Sequence, residues 1–267
     1  SIVGQIRPVI TSAEINRAKF QKKSFAAAWD NQFGSWEYQA VMKQDKGTEI
    51  IIDWQDGTSV KMSAAQMYDL VFESNNQWML SANGTIFTYE FEAIIPGLLK
   101  RWYAERKEMQ RKMRECGDNE IEKEFWDKRQ LVKKINLNSL YGAILNPGCR
   151  FFDIRIGQSV TLTGRCITKH MGSKVNEVVT GNYDHRGESI IYGDTDSVYF
   201  SAYKPLRKEI ESGKIPWQKE NIINLYDKIS DEVNSSFTQF MTKAFHCPKT
   251  RGEVIAAGRE LVASKGL

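Results

Sequence analysis

Two aspartates one residue apart stand in Tyr192-Gly193-Asp194-Thr195-Asp196-Ser197, between the apolar runs Ser189-Ile190-Ile191-Tyr192 and Val198-Tyr199-Phe200. Alternate residues of a strand point to opposite faces, but a tight turn relaxes that rule and lets both carboxylates converge on one ion. Hard carboxylate oxygens suit Mg²⁺, which keeps part of its water shell and accepts substrate phosphates as further ligands. Two such ions about 3.5–4 Å apart activate an attacking hydroxyl and stabilise a departing pyrophosphate. An isolated Asp-x-Asp is also an ordinary polar turn with solvated side chains, because aspartate is a common turn former. Apolar strands on both sides and a basic helix upstream weigh toward chemistry.

That helix carries Lys134-Ile135-Asn136-Leu137-Asn138-Ser139-Leu140-Tyr141-Gly142. At helical pitch Lys134, Asn138 and Tyr141 fall at i, i+4 and i+7 and share one face. A lysine there pairs with triphosphate oxygens, an asparagine gives a directional hydrogen bond, and a tyrosine packs under a base or sugar. Gly142 leaves room for a close approach. Taken alone, the same spacing also describes an ordinary helix with one exposed lysine and a buried tyrosine.

The elements that must hold these groups follow from pattern. Ser12 leads into a helix-forming run ending near Trp29. Ile50-Ile51-Ile52 and Val60-Lys61-Met62 flank the turn dipeptide Asp56-Gly57, which predicts a β-hairpin. Ser63 and Gln66 form a capping box for a short helix through Phe72. Asn83-Gly84 is a second turn, before the strand-like Thr85–Tyr89. Pro96 is tolerated in a first helical turn, and residues 97–115 hold good helix formers. Cys116-Gly117-Asp118-Asn119 breaks that helix and Ile121 resumes it, giving an antiparallel helical hairpin over 94–144 that ends at Asn146-Pro147-Gly148. Cations crowd it, among them Lys100, Arg101, Arg106, Lys107, Arg111 and Lys112. Beyond it, Val160, Ile167, Met171, Val175 and Val178 keep helical spacing on one face, and Ile222 through Met241 mark a long amphipathic helix. The plan is α+β rather than alternating α/β. Its expected divisions are 1–93 with a small hairpin-containing insert, 94–146 as the helical hairpin, and 147–267. The aromatics Trp36, Trp54 and Trp78 suit either the core or a partner surface, and core is the favoured reading because buried aromatics usually report packing.

Composition narrows the class. A chain of 267 residues that is 41% hydrophobic can bury a real core. A net charge of +4 suits a polyanionic partner without requiring one. Four cysteines with no C-x-x-C pair, beside three histidines, argue against zinc and for reduced thiols in an intracellular setting. No apolar run approaches the roughly 18 residues needed to span a bilayer.

Lys-x-x-x-Asn-Ser-x-Tyr-Gly over 134–142, followed some fifty residues later by Tyr192–Ser197, resembles motifs B and C of family B DNA polymerases. Arg150-Phe151-Phe152-Asp153-Ile154-Arg155 is similar to the replicative enzymes of T-even-like bacteriophages. Ile94-Ile95-Pro96 with Glu105-Arg106-Lys107 resembles the first fingers helix. Gly258-Arg259-Glu260 and Ser264-Lys265-Gly266 resemble the palm segment leading to the thumb. The resemblance covers most of 85–267 and is weak over 20–84. It implies antiparallel helical-hairpin fingers and part of a palm whose β-hairpin carries the acidic turn. By position, Asp194 and Asp196 become the catalytic, metal-binding pair for two Mg²⁺ ions, and Glu260 an accessory palm carboxylate. Arg106 and Lys134 bind the incoming dNTP, while Asn138 and Tyr141 line the nascent base-pair pocket. Gln110 stands where the family usually has a second basic residue, with Arg111 and Lys112 as its neighbours.

The resemblance further implies primer–template DNA and dNTPs as partners, and a cytoplasmic location, in a bacterial host if the chain is phage-encoded. Ser1-Ile2-Val3 is similar to the part of motif A just after its proline. The motif A aspartate is therefore expected on an N-terminal fragment with the exonuclease, and the grip on the primer on a C-terminal thumb fragment. Ser1 would suit the residue following an intein, and the chain alone is expected to be inactive. Two alternatives stand beside this reading: a catalytically silent nucleic-acid-binding or assembly module with the polymerase fold, and a nucleotide-sugar transferase using Asp-x-Asp.

Overall fold

The computed structural model describes residues 1–8 and 42–263. The helix expected after Ser12, Trp36 and the Ser264-Lys265-Gly266 segment lie outside the described residues. The chain divides into two compact units: Thr88–Ser159 with Ser1, and Ile2–Phe87 with Val160–Leu267. Helices and antiparallel strands are segregated along the sequence, so the class is α+β.

In the larger unit five strands line up as β3-β2-β1-β5-β4: β1 (Ile2–Pro8), β2 (Glu49–Trp54), β3 (Ser59–Ser63), β4 (Trp78–Leu80) and β5 (Thr85–Thr88). β1 pairs antiparallel with both β2 and β5. The β2–β3 hairpin turns at Asp56-Gly57, where Asp56 Oδ1 accepts from the Thr58 amide at 2.9 Å and its hydroxyl at 2.7 Å. The Ser63–Gln66 capping box opens α1 (Ala64–Tyr68), but from Asp69 to Glu73 the pitch widens to a π-turn rather than continuing as α-helix. Ile50, Ile52, Met67, Val71 and Ile86 are fully buried, and Phe240, Phe245 and Cys166 from later helices complete that core. Trp54 and Trp78 pack partly buried against it with rings 5.6 Å apart, in agreement with their reading as core.

The smaller unit holds α2 (Ile94–Glu115) and α3 (Glu120–Leu145), the helical hairpin expected from the cation-rich run. Gly117 has φ +55° at the bend, a conformation that costs glycine nothing. Asn119 then caps α3, its side chain accepting from the Glu122 amide at 3.2 Å.

Helix α4 (Ile154–Thr180) has Asp153 at its start, where the Arg155 amide and guanidinium both donate to the carboxylate. That contact holds the Asp153 carboxyl below its usual range. The single apolar face expected for α4 is only partly realised. Val175 is buried, but Val160 and Val178 are 54% and 38% exposed, while the polar residues His170, Ser173 and Asn176 are buried. Apolar spacing missed this because His170 and Asn176 are buried on partners that spacing does not reveal: His170 meets Tyr183 and Ser236, and Asn176 meets the Asn182 carbonyl and the Ser189 amide. Two short strands follow, β6 (Ile190–Asp194) and β7 (Ser197–Phe200), then α5 (Arg207–Glu211), α6 (Lys219–Phe245) and α7 (Lys249–Gly252). α6 buries Ile229, Val233, Phe237 and Met241, the stripe its periodicity predicts. The four cysteines are free thiols, and Cys166 and Cys247 are buried.

Candidate active site

The acidic turn is the two-residue link of the β6–β7 hairpin, closed by the Asp194–Ser197 pair. Ile190 and Phe200 anchor the base of the hairpin against the second core cluster, and Phe200 stacks on Tyr226 at 5.0 Å. Its tip is open: Ile191 and Tyr192 are 70% and 58% exposed, and both aspartates are exposed. Thr195 has φ +38° at the first central position, where such hairpins ordinarily take glycine. A β-branched residue held there stores about 1–3 kcal/mol of backbone strain, a cost that clusters at functional turns.

Hydrogen bonds hold this turn. Thr195 Oγ1 donates to Asp194 Oδ1 at 3.0 Å, Ser197 Oγ donates to the Asp194 carbonyl at 3.3 Å, and Thr168 Oγ1 donates to the Thr195 carbonyl at 2.7 Å. Asp196 has no hydrogen bond or ion pair among the described residues and faces a cavity of about 480 Å³. Glu260 lines the same cavity, over a floor that includes Val175, Ile229 and Val233. The extended segment bearing Glu260 is tied to α6: Asn234 bonds both the amide and the carbonyl of Ala257, and Arg259 pairs with Asp227 at 2.5 Å. Thr168, Asn234 and Asp227 escaped the sequence reading, since their partners lie 23 to 32 residues away with no motif to mark them.

In the smaller unit, Arg106 Nε donates across the hairpin to Gln130 Oε1 at 3.2 Å. Lys134 is four residues beyond Gln130 on α3, so the two cations lie about one helical turn apart in height. Neither forms an ion pair among the described residues. Lys134 and Asn138 are exposed, and Tyr141 is half-buried. Apart from its own helix backbone and its chain neighbours, no described residue comes within 4 Å of where a side chain on Gly142 would begin. Most cations toward the bend are neutralised at once. Arg111 is clamped by Glu108 and Glu115 at 2.6 Å each, Lys123 pairs with Glu120, and Lys128 with Glu124. Lys112 reaches Glu108 and lies 4.6 Å from the Trp126 ring centre. Arg111 and Lys112, the neighbours of Gln110, are thus both engaged within the hairpin.

The chemistry of the acidic turn fits a hard divalent cation: two exposed carboxylates beside open space, for an ion that supplies its own waters. Among the described residues no group of three or more His, Cys, Asp or Glu side chains is assembled for a metal. No described helix is long and apolar enough to cross a membrane.

Residues 54–243 match DNA polymerase family B, and the chain belongs to that family. Among individual relatives, it is 39% identical over 84 residues to the DNA-directed DNA polymerase of Escherichia phage RB69, covering 31% of this chain and 9% of that protein. It is 28% identical over 183 residues to the DNA polymerase of Pyrococcus glycovorans, covering 66% of this chain and 22% of that one. The DNA polymerase delta catalytic subunit of Oryza sativa subsp. japonica shares 37% over 109 residues, 40% of this chain and 10% of the subunit. The chain therefore spans no more than about a fifth of the length of these relatives.

Proposed function

We propose that the chain forms the fingers and part of the palm of a template-directed DNA polymerase that adds dNTPs to a primer 3′-hydroxyl. The observation that carries this reading is the strained, exposed turn holding Asp194 and Asp196 in a chain of family B. Fingers here means 94–146, and palm means the segments 1–93 and 147–267. Completion of the site by polymerase segments carrying the motif A aspartate, the exonuclease and the thumb is part of the proposal.

In this mechanism Asp194 and Asp196 hold the metal, with Glu260 as an accessory carboxylate on the cavity that Asp196 faces. Mg²⁺, when bound, supplies Lewis acidity for the 3′-hydroxyl and charge neutralisation for the triphosphate. Lys134 and Arg106, both without carboxylate partners among the described residues, bind phosphate oxygens as the hairpin closes. Asn138 and Tyr141 orient the nucleotide from the same helix. Primer–template DNA meets the remaining cations through phosphate contacts.

The test is primer extension with Mg²⁺ and dNTPs, using the chain mixed with N- and C-terminal polymerase segments. Extension that disappears with Asp194→Asn or Asp196→Asn is the expected result. Assembly of the pieces without extension would overturn it and favour a non-catalytic nucleic-acid-binding module.

A further inference from the structure

Thr168, on α4, has no part in the reaction above, yet among the described residues its hydroxyl is the group from outside the β6–β7 hairpin that bonds the acidic turn. It donates to the carbonyl of Thr195, the residue between the two aspartates, at 2.7 Å across 27 residues of sequence. The same hydroxyl lies 3.2 Å from the Gly164 carbonyl, but it has one proton, and the shorter contact takes it. Thr195 is the strained residue of the turn, with φ +38°. A bond to its carbonyl fixes the plane of the 195–196 peptide, and that plane sets the direction in which Asp196 leaves the backbone. The other contacts of the turn are internal: Ser197 Oγ to the Asp194 carbonyl, and Thr195 Oγ1 to Asp194 Oδ1. They shape the turn but tie it to nothing rigid. Thr168 does, because its neighbours along α4, Cys166 and His170, are fixed in the core.

We propose that Thr168 is a positioning residue, its hydroxyl locking the Thr195–Asp196 peptide so that Asp194 and Asp196 are preorganised as a pair for a divalent cation. This rests on the reading of the turn as the cation site.

Two measurements on the full chain test it. Tb³⁺ reports on an oxygen-donor site through luminescence excited by nearby tyrosines, and Tyr192 and Tyr199 lie on this hairpin with rings 6.0 Å apart. Amide hydrogen exchange at Asp196 and Ser197 reports on the turn without any metal. Thr168→Val, close in shape but without the hydroxyl, is expected to speed exchange at both amides. It should also weaken Tb³⁺ binding by about tenfold, as loss of an outer-sphere partner typically does. Thr168→Ser should behave as wild type in both. Unchanged exchange and affinity in the valine variant would overturn the proposal. So would a serine variant that loses as much as valine, since the methyl rather than the hydroxyl would then be responsible. Should the valine variant fail to fold, Thr168→Ala against Thr168→Ser carries the same comparison. A wild-type chain that binds no Tb³⁺ would instead sink the cation-site reading, and with it the purpose assigned to Thr168; amide exchange would still show whether the anchor exists.

Discussion

The side-chain amide of Asn234 brackets the backbone of Ala257, donating to its carbonyl at 2.9 Å and accepting its amide proton at 2.7 Å. With Ser230 Oγ 3.4 Å from the same carbonyl, it stands in for a strand partner along an extended segment that pairs with no strand among the described residues. Asn234→Ala should lower stability by about 1–3 kcal/mol, the net worth of two such bonds. It should also raise the exchange rate of the Ala257 amide. Urea unfolding and hydrogen exchange check both; an unchanged Ala257 amide would mean that the bracket holds nothing.

His170 gives the fold a pH dependence. Its ring is buried and stacks on Phe240 with centroids 4.1 Å apart, between Tyr183 and Ser236. Its Nδ1 lies 2.7 Å from the Tyr183 hydroxyl and its Nε2 2.9 Å from the Ser236 hydroxyl. Burial, with a smaller contribution from Lys174, pushes the imidazole down to about 4 from 6.5. The unfolded chain therefore takes up this proton first as pH falls. The stabilisation is complete above about 6.5 and is lost toward 4, about 3 kcal/mol in all. Melting temperature should fall from pH 7 to 4.5 more steeply in wild type than in His170→Gln, each referred to its own value at pH 7. Equal slopes would remove His170 from the account.

Adjacent lysines on α3 should behave oppositely. Lys133 pairs with Glu105 at 2.5 Å and lies 5.7 Å from the Trp102 ring centre, whereas Lys134 has neither kind of partner among the described residues. Lys134→Ala is expected to weaken dNTP binding by about tenfold or more with little change in melting temperature, as for loss of a charge-assisted hydrogen bond. Lys133→Ala should lower the melting temperature and leave nucleotide affinity nearly intact. Nucleotide titrations and melts on both variants decide, and a reversed pattern would move the triphosphate contact to Lys133.

Gly187 is required by its neighbour. A methyl there would collide with the amide of Asn176, which is buried and locked between the Asn182 carbonyl at 2.8 Å and the Ser189 amide at 3.1 Å. Gly187→Ala should cost about 1–3 kcal/mol, because the displaced amide leaves the backbone N–H of buried Ser189 unsatisfied. Calorimetry reads it directly. A neutral substitution would show that the 182–189 loop shifts freely.

Much of this was legible in the sequence because the signals were local. The Asp56-Gly57 hairpin, the Ser63–Gln66 box and the break at 116–119 each depend on residues within one or two turns of each other. The stripe of α6 could be read because a period of 3.6 is set by the helix itself. On α4 the same reasoning failed at Val160, Val178, His170 and Asn176. There burial was decided by partners such as Tyr183 and Ser236, which spacing cannot reveal.

The same division runs through the candidate site. Sequence by itself determined the donor types and their order: two carboxylates at one tight turn, and Lys134, Asn138 and Tyr141 on one helix face, since turn and helix geometry are local. Only the tertiary structure decided which charges remain available. Lys133 and Lys134 are equal cations in the sequence, but folding sets Glu105 of α2 against the first and no carboxylate, among the described residues, against the second. It also decided what holds the turn, since a hydroxyl 27 residues away acts on Thr195 only after both chain segments are packed. Local geometry follows from bonded neighbours, whereas neutralisation and anchoring depend on through-space distances that only packing sets.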